Sequence, residues 1–93
     1  VVNVYHNKGF LALQFKKVSE IPKENLTKVA EVSINDLETA FELTNHIEHN
    51  WTHNKGVTPL VSEPRSTSVG DVLEIEKKFY IVAASGFEEI ILK

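Results

Sequence analysis

Apolar and polar positions alternate with period two in most of the chain, and with period 3.6 in one stretch near its middle. Val1-Val2-Asn3-Val4-Tyr5 is short and β-branched, as a strand requires, and His6-Asn7-Lys8-Gly9 is a polar turn closed by glycine. From Phe10 to Lys17, Leu11, Leu13 and Phe15 share one face of a second predicted strand, with Ala12, Gln14 and Lys16 on the other. Pro22 cannot donate to a ladder and falls in a connection. Lys28 to Ile34 alternates again, with Ala30, Val32 and Ile34 inward and Glu31 and Ser33 outward. The period then lengthens. Asn35 or Ser33 can cap a helix, and Asp36 and Glu38 suit the positive end of its dipole. Leu37, Ala40, Phe41, Ile47 and Trp51 form one stripe, which predicts a helix over 36–52 laid across a sheet. Val57 to Ser68 is a long loop rich in Pro, Ser and Thr. Strands resume at Val72–Glu76 and Phe79–Ala84, joined through Lys77-Lys78, which is poor chemistry for a tight hairpin turn. Phe87 to Leu92 is a last strand. The order is βββ-α-βββ: an α+β class in which a small, mostly antiparallel sheet packs on one helix.

Composition narrows the function classes. Ninety-three residues make one domain, 1–93, with a thin core. There is no cysteine, hence no disulfide, thiolate metal site or cysteine nucleophile. No apolar run reaches the ~20 residues of a membrane span, and no leader precedes the first strand. A net charge of -3 and a pI near 5.8 argue against a basic nucleic-acid face.

His46, His49 and His53 fall close together on the predicted helix, opposite the apolar stripe and beside Glu42. Imidazoles at such spacing can share a metal ion, but the H-E-x-x-H pattern is absent and a solvated face explains them better. The same stripe lacks the water-excluding cleft that acid–base catalysis needs, and no serine lies in a nucleophile elbow. Neither a G-x-G-x-x-G motif nor a P-loop is present. No cofactor is implied, and the expected class is non-enzymatic.

The segment Arg65-Ser66-Thr67-Ser68-Val69-Gly70-Asp71-Val72 is the most informative. Gly70 suits a backbone with positive φ, and Asp71 can accept amides of its own turn. Arg65 can tie the loop to carboxylates and carbonyls or present its charge to a ligand. Arg65, Ser66, Ser68 and Asp71, with Tyr80, are the candidate binding residues. If the cluster is structural, Asp71→Ala costs about 1–2 kcal/mol. If it binds, Arg65→Ala spares stability and weakens the partner.

Arg65–Val72, followed by Tyr80 and Ser85-Gly86-Phe87, resembles the signature of the YodL-like small proteins, in which R-S-x-S-V-G-D-V leads through Y-x-x-x-x-x-G-F. Ala40–Asn45 and Trp51-Thr52-x-Asn54 are similar to what phage-encoded members carry upstream, so the resemblance spans about residues 29–90. Ala83-Ala84-Ser85 departs from it, being less polar than in many relatives, which argues against a site at that hairpin. The resemblance implies a setting in bacteriophages, plasmids and conjugative elements rather than a mechanism.

The resulting expectation is a phage or mobile-element accessory protein that acts in the host cytoplasm by binding a protein partner. Its acidic helix face (Asp36, Glu38, Glu42, Glu48) suits a basic partner surface. The alternative is a small nucleic-acid-binding module using the Arg65–Asp71 loop. A homodimer formed through exposed sheet edges is also open.

Overall fold

The computed structural model describes residues 1–14, 17–46 and 50–93. It is an α+β domain with one α-helix and a seven-stranded sheet, antiparallel except for one pair. The strands are β1 (Val2–Asn7), β2 (Glu20–Ile21), β3 (Leu26–Val32), β4 (Val57–Pro59), β5 (Val72–Ile75), β6 (Lys78–Ala83) and β7 (Gly86–Leu92). The helix α1 spans Leu37–Thr44. The sheet order is β2-β7-β6-β5-β1-β3-β4, which puts β1 and β5 at the centre.

Alternation along these strands feeds two apolar layers. On one face Val2, Val4, Val32, Leu73 and Val82 meet Ala40 of α1 and the indole of Trp51. On the other, Val72, Ile81 and Ile90 meet Ile21, with Leu13 and Val18 packed alongside. The sheet is therefore covered on both sides, not on the helix side alone. In β3 both Val29 and Ala30 are buried, because the pairing steps from Val4↔Ala30 to Tyr5↔Lys28 and leaves Val29 as the extra residue of a bulge.

Two expected elements differ. Residues Phe10–Leu13 form a 3-10 turn, not a strand; Phe15 and Lys16 of the expected strand lie outside the described residues. At three residues per turn the leucines part company: Leu13 joins the second layer, and Leu11 is 73 % exposed. The turn is held in place by Gln14, whose Nε2 donates to the Val69 carbonyl at 2.6 Å.

The helix starts at its Asp36 cap, whose carboxylate accepts from Thr39 N at 3.2 Å. The Thr39 hydroxyl, which donates to the same carboxylate, and then the Thr39 amide hold the Asp36 carboxyl below its ordinary value. It ends at Thr44, well short of residue 52, because other segments take its last carbonyls. Asn54 Nδ2 donates to Leu43 O at 2.7 Å, and Thr67 N donates to Thr44 O at 2.9 Å. Trp51 continued the helical spacing by coincidence. It sits on a separate 3-10 turn, Trp51–His53, capped by Asn50, and fills the core from there at 1 % exposure. Ile47 lies outside the described residues.

The β5–β6 hairpin turns at Glu76-Lys77, one residue earlier than expected, so that Ile75 pairs with Lys78. Both turn residues have positive φ, 51° and 67°, the geometry of a type I′ turn built without glycine.

Each edge of the sheet ends in a proline. Ser33 N bonds Gly56 O and Leu60 N bonds Val29 O, so alternation turns Val57 and Pro59 of β4 outward. Val57 N is spent on Asn54 O, and Pro59 has no N–H to offer. At the other edge, Ser19, Ile21 and Lys23 bond toward β7, which turns Glu20 and Pro22 outward. Strand addition at the β4 edge is thus starved of donors, and at the β2 edge Pro22 removes one of the two outward donors.

Phe41 is half-buried and meets Phe87 edge-on at 6.2 Å between ring centres, so Phe41→Ala should cost about 2 kcal/mol, below the 3–5 of a fully buried ring. Urea unfolding measures it. Pro59→Thr restores an outward donor on β4 and should give concentration-dependent self-association in sedimentation velocity that exceeds that of the parent.

Candidate functional site

The site is built where the end of β1, the Phe10–Leu13 turn and the segment leading into β5 converge. Asn7 is the first element. Its carbonyl oxygen Oδ1 accepts from Gly9 N at 2.9 Å, the Asx turn that an Asn-x-Gly sequence favours, and Nδ2 donates to Gly70 O at 3.0 Å. Gly70 has φ +97°, and a Cβ there would lie 2.6 Å from the Phe10 carbonyl oxygen. Only glycine lets the chain pass this close under Phe10.

Asp71 follows, fully buried, and its carboxylate accepts four hydrogen bonds. Asn7 N reaches Oδ1 at 2.8 Å and Ser68 N reaches Oδ2 at 2.8 Å. Arg65 closes the set with a two-pronged fork, Nη2 to Oδ1 and Nη1 to Oδ2, both 2.7 Å. The second donor of Nη1 goes to Ser66 O at 3.0 Å and that of Nη2 to Asn7 O at 3.3 Å. The plane lies over the Phe10 ring, 3.7 Å from its centre. The carbonyl of Arg65 accepts from Trp51 Nε1 at 2.9 Å.

Beside this fork lies a pair that sequence reasoning missed. His6 Nε2 is 2.9 Å from Thr67 Oγ1; the hydroxyl is fully buried and the imidazole nearly so. The ring stands edge-on to Trp51, 6.1 Å between centres. Burial pushes the His6 pKa down to about 4; the Arg65 charge pushes the same way, and Asp71 opposes. No sequence signal marked His6, because it ends a strand in what reads as a polar turn.

Four of the five candidate residues are thereby placed together. Arg65 and Asp71 are the fork, Ser68 contributes its amide, and Ser66 contributes its carbonyl while its Oγ reaches only Thr67 O, at 3.4 Å. Tyr80 is not brought to them: it stands on β6 opposite Leu73 and Glu89. The expected histidine stripe also dissolves. α1 ends before His46, His53 closes the Trp51 turn, and His49 lies outside the described residues. Among the described residues no group of three or more His, Asp or Glu is placed to hold a metal.

Outside the fork is an open hollow of about 680 Å³. Phe10, Trp51 and Pro64 give it apolar wall, and Asn45, Asn50, Ser66 and Ser68 give it amides and hydroxyls. Comparison with protein-family models, curated proteins and solved structures found no match for this chain. The likeness to the YodL-like proteins rests on the sequence motif alone.

The geometry raises the energetic stakes at Asp71 above the loss of a single bond. Asp71→Ala leaves a half-buried guanidinium and two amides without their acceptor, and should cost about 3–5 kcal/mol. Arg65→Ala strands a buried carboxylate and should also destabilise, by about 2–4 kcal/mol; Arg65→Lys should rescue only part, since an ammonium cannot reproduce the fork. Chemical denaturation of the three variants checks both figures.

Proposed function

We propose that this chain is a non-catalytic accessory protein that works by binding a protein partner at the hollow beside Arg65. The observation that supports this reading is where the reactive groups point. Asp71 and Thr67 are wholly buried, and His6 nearly so. Four donors of Arg65 are spent within the chain. What remains toward solvent is a recess of rings, amides and hydroxyls, with Glu63, His46 and the exposed part of Arg65 also on its lining, suited to recognition by shape and hydrogen bonding. The phage or mobile-element setting and the host cytoplasm come from the resemblance and belong to the same proposal. Among the described residues no helix is long and apolar enough to cross a membrane.

The nucleic-acid alternative is weakened by the same fork. A guanidinium neutralised by a buried carboxylate and stacked on Phe10 is poorly placed to grip phosphate. Its carbonyl and carboxylate bonds would have to break first. The three acids at the start and along α1, Asp36, Glu38 and Glu42, add negative charge and favour a basic protein surface.

Two side chains of the hollow carry no part of the fork and can be changed. Ser66→Arg and Glu63→Arg, both on the lining of the hollow, should leave melting within about a degree of the parent and lower affinity for a captured partner at least tenfold. Band-shift assays at low salt with single- and double-stranded DNA and RNA should show no complex. A complex whose affinity falls steeply with salt would replace this reading with the nucleic-acid one.

A further inference from the structure

We propose that His6 is an acid-sensitive latch, and that its protonation releases the segment 65–68 from the body of the domain and remodels the hollow while the sheet stays folded. The geometry carries this. His6 lies at the end of β1 and is roofed by Thr67 and by Trp51, the only tryptophan of the chain. A neutral ring satisfies the Thr67 hydroxyl at 2.9 Å. An imidazolium has two N–H donors; Thr67 Oγ1 can accept one of them, from Nε2, but its own buried hydroxyl proton then loses its acceptor and the ring's charge still needs solvation. Near it the charged groups are Asp71 and Arg65. Asp71 has both oxygens already engaged by four donors, and Arg65 repels a second cation. On the other side His6 is paired with Thr27 of β3, a neutral neighbour, while Lys28 is engaged with Glu31. Trp51 offers an indole edge. Glu38 and Glu42 of α1 are on its exposed side.

Water must therefore come to the ring, and one wall is weaker than the others. β1 is held between β3 and β5 by ladders on both sides. The 65–68 segment has no ladder. Apart from the fork and the two bonds between Ser68 and Asp71 it is tied down by Thr67 N to Thr44 O, by Asn45 Nδ2 to Thr67 O, and by Trp51 Nε1 to Arg65 O. Moving it exposes His6 at the smallest loss of backbone pairing. The direction in pH follows from linkage. The closed state binds the proton only near pH 4, whereas an open one binds it near the ordinary 6.5, so closure is fully favoured above 6.5 and is progressively lost as pH falls toward 4. The walls that move are those of the hollow, so acid would also release whatever is seated there.

Trp51 is the reporter. Its emission, followed from pH 7.5 to 4, should shift to the red with a midpoint between 6.5 and 4, and iodide should begin to quench it. Far-UV circular dichroism should keep its sheet signal over that range. His6→Gln, which can still bond Thr67 but cannot titrate, should remove the transition or move it below pH 4. Coincident loss of the Trp51 and sheet signals would mean global acid unfolding and overturn the latch. An unchanged profile in His6→Gln would assign the transition to another group and overturn it too. Should His6→Gln fail to fold at neutral pH, the histidine Cε1–H resonances of the parent decide. The His6 signal must titrate together with the Trp51 shift, and separate midpoints would refute the proposal.

Discussion

A carboxylate with no access to water must have every lone pair answered, and Asp71 imposes that condition on three stretches of chain at once. It recruits the Asn7 amide from the end of β1, the Ser68 amide from its own turn, and the Arg65 fork from the loop above. Its backbone is fixed as well, since Asp71 O accepts from Val82 N at 2.8 Å. The side chain thus joins a central strand, a strand start and a loop that has no ladder. Remove the carboxylate and the loop loses its reason to lie where it does.

The neighbours of Asp71 read as consequences of the same demand. Gly70 must let Phe10 cross within van der Waals distance, and Phe10 in turn supplies the ring on which Arg65 rests. Trp51 caps the Arg65 carbonyl while filling the apolar layer under α1. Thr67 ends the helix by donating to Thr44 O and closes over His6. One polar node therefore positions the helix terminus, the hollow and the buried imidazole.

Legibility in the sequence followed the range of the interactions. Strands that alternate against a core were readable, since Val2, Val4, Leu73 and Val82 carry their burial in their spacing. The Arg65–Asp71 cluster was readable because both partners lie within one short loop and their chemistry is specific. The Phe10–Leu13 turn was not: its apolar alternation fits a strand, and only the Val69 carbonyl that Gln14 reaches and the Arg65 guanidinium, both from elsewhere in the chain, decide otherwise. The length of α1 was hidden for the same reason, because Asn54 and Thr67 stop it from outside the helix. His6 and Asn7 became visible only when β1 was set against the loop, more than fifty residues away in sequence.

Prolines stand at both sheet edges and apolar layers cover both faces. The hollow differs in kind, since its walls come from loops and one side of it rests on a single buried polar node. Stability and the shape of the recess are coupled there by construction: a change that weakens Asp71 or His6 alters the recess even when it touches nothing that lines it. Substitutions at Ser66 or Glu63 act on the recess alone. A surface whose shape depends on buried charge is one that proton concentration can address, and His6, neutral at pH 7 and enclosed on the loop side, is the group through which that dependence runs.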